Sequence, residues 1–262
     1  METENNSELT IHDFKRENYE KVNNIYVHPT IKEGLDRPIF RYMQFEHLLE
    51  MLKTEKLYVS NRKYFKDQTE IGKKENLGNR FLMCPVSHTE EEREIDAKFA
   101  SRIEQQRKFA YNTCISCWTY DAYPSHNEIL EENYLMWKSY VSNKVGCRIE
   151  TTIKDLISSI DVKGMDILIS NVKYVKEHIN DGNVQHYIFE KPVYYQDEKE
   201  VRLCVLKCDH HTLLDINPFQ MIKEVTLSPF INNLFVQFLI EKFQIDYPEL
   251  SDKIRKSHVM EH

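Results

Sequence analysis

Segments with strand periodicity and segments with helix periodicity follow one another along this chain without the regular strand-helix-strand alternation that builds a parallel sheet. Strand patterns occupy residues 37–43 (RPIFRYM), 57–61 (LYVSN), 112–120 (NTCISCWTY), 145–152 (VGCRIETT), 167–175 (ILISNVKYV), 200–206 (EVRLCVL) and 222–228 (IKEVTLS). Helical patterns begin with FEHLLEMLKTEK, whose Phe45, Leu48, Leu49 and Leu52 share one face. A charged block over 89–111 reads as a solvated helix above a thin apolar stripe, and the amphipathic stretch 127–143 carries Tyr134, Met136, Trp137 and Tyr140 as bulk. A short helix is expected over 152–160, and a last one through INNLFVQFLIEKF, with Ser228 as its N-cap and Pro229 at its first position. This order implies an α+β fold, with a mixed, largely antiparallel sheet core and flanking helices. The expected organisation is a polar N-terminal segment over 1–25, a single α+β domain over 26–245 and a surface tail over 246–262.

Composition narrows the chemistry. Six glycines in 262 residues, against 15 tyrosines and 13 phenylalanines, leave no glycine-rich phosphate loop and supply aromatics for strands and pockets. A formal charge of −7 opposes sequence-independent coating of nucleic acid, although a local basic groove could still handle one as substrate. Residues 1–18 lack the apolar core of a signal peptide, and no later run approaches the roughly 20 apolar residues of a membrane span. A cytoplasmic protein without membrane partners is therefore expected, and in that compartment Cys84, Cys114, Cys117, Cys147, Cys204 and Cys208 read as free or metal-bound thiols. CISC at 114–117 and CVLKCDHH at 204–211 could together frame a tetrahedral zinc site, but the first pair turns to opposite faces of a strand, so buried small hydrophobes are the simpler account and no metal site is assigned.

Residues 198–205 pose the sharpest question. Glu198, Glu200 and Arg202 stand at every second position while Val201, Leu203 and Val205 fill the gaps, so a strand here would have one charged face and one apolar face. Such a face is either an exposed ladder of ion pairs, worth little, or part of a site in which carboxylates stabilise developing positive charge. Arg41, on the strand opened by Pro38, could pair in a salt bridge at a sheet edge or clamp a pyrophosphate or ribose in two-pronged fashion. Tyr42, Tyr58 and Tyr64 are core residues by default and ring-stacking candidates beside it. Asp67 and Glu70 stand in a polar loop next to these aromatics, while Trp137 and Tyr140, one helical turn apart, suit packing on the sheet. Ser116 has no neighbouring base in the sequence and is read as a hydroxyl that fixes a strand.

Taken in order, IFRYMQFEHLLEMLKTEKLYVSNRKYFKD, CISCW, LMWKSYVSNKVGCRIE, VKYV and EKEVRL resemble a widespread bacterial family known as a domain of unknown function, marked by an Arg-Tyr pair, a Trp-x-x-Tyr helix and a closing Glu-x-Glu-x-Arg. The likeness spans about residues 38–230; it departs at the loop around Asp67, where the family usually reads Phe-Asn-Asp-Pro. The order of Arg on an early strand, Ser after a middle strand and Glu-x-Glu entering a late one is more distantly similar to the Arg-Ser-Glu class of ADP-ribosyltransferases. That resemblance implies an ADP-ribosyltransferase-like core with NAD as substrate, Arg41, Tyr42, Tyr58, Tyr64 and Ser116 around the dinucleotide, Glu200 stabilising the transition state and Glu198 presenting the acceptor. It implies transfer to a protein or nucleic acid, in the setting of a toxin or antiphage defence effector with an antitoxin or other neutralising partner. A non-catalytic module that senses a ligand or phage component, and an NAD glycohydrolase, are the alternatives the same residues allow.

Overall fold

The computed structural model describes residues 19–65, 89–120, 132–141, 145–176 and 184–259. Asp67 and Glu70 lie outside them. The strands are β1 (Glu20–Val22), β2 (Ile25–Val27), β3 (Pro38–Gln44), β4 (Lys56–Asn61), β5 (Cys114–Thr119), β6 (Gly146–Thr152), β7 (Ile160–Asp161), β8 (Ile167–Asn171), β9 (Lys173–Val175), β10 (Glu190–Pro192), β11 (Glu200–Val205), β12 (Thr212–Ile216), β13 (Glu224–Leu227) and β14 (Ile254–Lys256). The main sheet runs β1-β2-β8-β11-β5-β3-β6-β13-β14, while β9 and β10 form a separate parallel pair. Only β2–β8 and β13–β14 are parallel within the main sheet, so the fold is α+β with a mixed, mostly antiparallel sheet.

The sheet forks at β5. One edge of β5 pairs with β11 along its whole length, from Glu200 opposite Thr119 to Val205 opposite Cys114. The other edge is divided: β3 meets it at Thr119, and β4 meets it at the far end, Ser60 opposite Ile115 and Asn61 opposite Cys114. Because β3 and β4 share one edge, they diverge, and residues 116–118 lie in the crotch between them.

Helices hold the arms of the fork in place. The helix Phe45–Thr54 buries Phe45, Leu48, Met51 and Leu52 and ends where Glu55 turns left-handed at φ 53°, which returns the chain as β4. Burying each such side chain contributes about 1.5–3 kcal/mol. The helix Tyr134–Val141 packs on β3 through Met136, Trp137 and Val141. Its approach requires Gly146: a Cβ there would stand 2.4 Å from Val141 Cγ1 and 3.2 Å from the Met43 carbonyl oxygen. The charged helix Glu90–Tyr111 starts from a capping box of Thr89 and Glu92 and buries only a thin stripe that includes Ile103 and Ala110.

Several expectations need correction. The last helix begins at Asn233, not after Ser228; Asn232 Oδ1 accepts the Leu234 N–H at 2.9 Å, whereas Ser228 Oγ accepts the Phe230 N–H at 3.2 Å and closes only a turn. The run 167–175 breaks at Val172 into β8 and β9, in different sheets. Residues 20–25 are not a loose segment, since β1 and β2 extend the sheet, and the presumed tail carries β14, paired in parallel with β13. Finally, Cys114 and Cys208 are neither free nor metal ligands: they form a disulfide across a sequence separation of 94, which ties β5 to the segment between β11 and β12. Cys117, Cys147 and Cys204 take part in no disulfide, and Cys84 lies outside the described residues. Among the described residues no helix is long and apolar enough to cross a membrane.

Candidate functional site

The crotch of the fork opens into a cleft of about 340 Å³, lined by Arg41, Tyr58, Cys117, Tyr140, Glu198 and Glu200 among others. That volume falls within the roughly 300–1,000 Å³ of small-molecule sites. Each side chain arrives from a different element: Arg41 from β3, Tyr58 from β4, Cys117 from β5, Tyr140 from the helix Tyr134–Val141 and Glu200 from the first position of β11.

Arg41 spans the fork. Its Nη1 donates to Ser116 Oγ at 3.0 Å and its Nη2 to the Tyr58 carbonyl at 3.5 Å, while its guanidinium lies 5.9 Å from the Trp118 ring centre. Burial pulls the Arg41 pKa down, and the neighbouring Cys117 and Tyr140 push it back up. Ser116 is buried and also accepts from Trp118 Nε1 at 3.1 Å, so its hydroxyl fixes two cleft residues at once.

The acids differ from the expected ladder. Glu198 is not on the strand; it ends a 3-10 turn over Val193–Glu198, and Lys199, left-handed at φ 44°, redirects the chain into β11. Nor is the charged face exposed. Glu200 is 4% and Arg202 0% exposed, and Arg202 grips the carboxylate from two points, Nε to Oε1 at 2.6 Å and Nη2 to Oε2 at 3.2 Å. Lys191 of β10, itself buried, donates to Glu198 Oε2 at 2.6 Å and to Glu200 Oε2 at 3.3 Å. Burial acts to raise the Glu200 pKa, but the Arg202 and Lys191 charges, with hydrogen bonds from Arg202 and the Cys117 thiol, hold it at about 2. Glu200 is therefore an anion throughout the neutral range. Tyr140 shows the reverse effect: burial first, then Glu198, Cys117 and Glu200, raise its hydroxyl well above the ordinary tyrosine value.

The structure brings Arg41, Tyr42, Tyr58, Glu198 and Glu200 to one cleft, with Ser116 directly beneath. Tyr42 forms wall rather than a stacking face, its ring edge-on to Trp137 at 4.8 Å and its hydroxyl accepting the Asn133 N–H at 3.1 Å. Tyr64 is not among the cleft-lining residues; it stands half exposed outside, its ring tilted 33° to that of His211 at 4.6 Å, and His211 in turn lies 5.1 Å from Tyr58. Trp137 packs as expected, whereas Tyr140, read as packing, lines the cleft half exposed. Sequence reasoning missed Lys191 and Cys117. Lys191 carries no periodic signal beside Pro192, and Cys117 was visible only as the odd member of CISC that faces away from Cys114.

Among the described residues no group of three or more His, Cys, Asp and Glu side chains is placed to hold a metal ion. The arrangement is instead a guanidinium and an ionised carboxylate on opposite sides of an aromatic-walled cleft, suited to a ligand that carries negative charge at one end and develops positive charge at the other. Comparison of the chain with protein-family models, with curated proteins and with solved structures finds no match.

Proposed function

We propose that the cleft takes NAD as substrate and transfers its ADP-ribose to a macromolecular acceptor, on an ADP-ribosyltransferase-like core. The observation that supports this reading is the convergence of Arg41 and Glu200, from β3 and β11, onto one cleft, with Ser116 of the intervening β5 bonded to Arg41 beneath it. The residues fit the dinucleotide: a planar guanidinium for a pyrophosphate or ribose, Tyr58 and Tyr140 for flat rings, and a permanently ionised carboxylate. NAD carries its ADP-ribosyl group on a cationic pyridinium ring, which takes the electron pair of the glycosidic bond and departs as neutral nicotinamide while the acceptor nucleophile forms the new bond to the same ribosyl carbon. Glu200, held rigid by Arg202 and Lys191, accepts a hydrogen bond from the ribose hydroxyl and faces the positive charge that grows as that bond lengthens. Glu198, whose side chain is 23% exposed, stands at the solvent side to orient the acceptor nucleophile and take its proton.

The test is incubation of the protein with labelled NAD, with and without cellular RNA, DNA and protein. Label moves to one acceptor class, and Glu200→Gln lowers the rate by at least about 100-fold. Arg41→Lys and Glu198→Gln, which leave the Arg202 clamp intact, give a second reading where Glu200→Gln disturbs folding. Release of nicotinamide without labelled acceptor reassigns the site to hydrolysis. Full turnover by Glu200→Gln, or no consumption of NAD with any acceptor, overturns the reading.

A further inference from the structure

We propose that a row of aromatic rings beside the cleft docks single-stranded nucleic acid, which, resting on the NAD reading above, makes a strand of RNA or DNA the acceptor. Tyr58, His211 and Tyr64 form the row: the first two ring centres lie 5.1 Å apart and the last two 4.6 Å, with planes tilted by 37° and 33°. All three are exposed, the two tyrosines by about half. The row starts at the rim of the cleft. Tyr58 and Ser60, two apart on β4, both line the cleft, and Ser60 Oγ stands 3.5 Å from His211 Nδ1.

The rings are held in place without being packed away. Tyr58 sits in a paired strand, opposite Leu213 of β12. His211 Nδ1 accepts the Asn61 N–H at 3.1 Å, which sets the orientation of the imidazole. Tyr64 ends a 3-10 turn, Arg62–Tyr64, that the Asn61 side chain caps by accepting the Lys63 N–H at 3.0 Å. Rings fixed in this way lose little freedom when a partner stacks on them. The charge beside them is of one prevailing sign. Within residues 56–65 and 207–211 the exposed charges are Lys63 and Lys207 against Asp209, in a chain whose formal charge is −7. Lys63 donates to the Asp209 carbonyl and holds its Nζ 5.2 Å from the Tyr64 ring centre, so positive charge and ring face the partner together. A single strand answers both features, with unpaired bases for the rings and a phosphate at each nucleotide for the lysines. A duplex keeps its bases stacked on one another and offers the rings nothing.

The probes are fluorescein-labelled mixed-sequence strands of about 12 nucleotides, one DNA and one RNA, with the duplex of each. Each is titrated with the full chain in the absence of NAD, and anisotropy reads binding. At least one single strand binds at least about tenfold more tightly than either duplex, and the order of the two strands says which nucleic acid is taken. Tyr64→Ala and His211→Ala each weaken binding by about fivefold or more, while Tyr64→Phe retains it. Lys63→Met lowers the slope of log affinity against log salt by roughly 0.7. With labelled NAD added, label appears on the bound strand. No binding by either strand, equal binding of the duplexes, or full binding in both Tyr64→Ala and His211→Ala overturns the proposal. Where His211→Ala disturbs folding through its bond to Asn61, Tyr64→Ala alone decides. Label passing to protein and not to the strands overturns the assignment and leaves the NAD reading standing; strand binding with no NAD consumed supports the docking surface and overturns the NAD reading instead.

Discussion

Glu200 and Asp215 are both held at about 2, by opposite routes. Asp215, on β12, owes its low value first to a hydrogen bond from Lys163, then to one from Lys56, the residue directly across the strand pair. Water reaches this cluster, and little desolvation opposes it. Glu200 is enclosed, and burial works against its charge; only Arg202 and Lys191, buried with it, keep it ionised. A depressed carboxylate is thus no mark of a site by itself. What separates the two is that Glu200 keeps its charge against desolvation at the edge of a cleft, an arrangement surface pairing does not require.

The contrast can be broken most directly at Arg202. Arg202→Met leaves an enclosed carboxylate short of its main partner and lowers unfolding stability by about 3–5 kcal/mol. Urea titration measures this, and the double variant Arg202→Met/Glu200→Gln recovers much of the loss. Lys191→Met costs less, about 1–3 kcal/mol, because Arg202 still grips Glu200 from two points.

Acid sharpens the comparison further. Glu200 has its pKa lowered from about 4.5 to about 2 by folding, so its contribution is complete above the upper value and is lost as pH falls through this window. Stability measured across that range falls less steeply in Glu200→Gln than in the wild type. At about 1 M salt, where the Debye length is roughly 3 Å, the part due to Asp215 fades while the part due to Glu200 persists. The smallest effect is that of Asp215→Asn at neutral pH, a change in urea midpoint near the limit of measurement. A loss there as large as that of Arg202→Met would erase the distinction between the two acids.

The longer elements were legible because their periodicity is carried by many residues. Arg41 and Glu200 could be marked from the pattern of the strands and the family resemblance, and they share a cleft. Alternation, however, states only which side chains share a face, not what covers it. The cover over Glu200 and Arg202 comes from β10 and the helix Val184–Phe189, whose Ile188 carbonyl accepts from Arg202 Nη1 at 2.6 Å. The strand expected over 200–206 starts at Glu200 as read, but Glu198, which shares the every-second-position spacing of Glu200 and Arg202, is removed from its charged face by the left-handed turn at Lys199. Strands β1, β2 and β14, three residues each, are too short to carry a period at all. The Cys114–Cys208 bond depends on where β5 and the end of β11 meet, which spacing alone does not reveal.

Arg41 acts as a strut. Its two bonds, to Ser116 on the stem and to Tyr58 on one arm, brace the gap from which the cleft is made. An anion that draws the guanidinium toward itself must take it from one of them, and the 3.5 Å contact to Tyr58 yields first. The same residue that receives this weaker bond on its backbone sets its ring 5.1 Å from that of His211, so the brace and the outer aromatic pair share Tyr58.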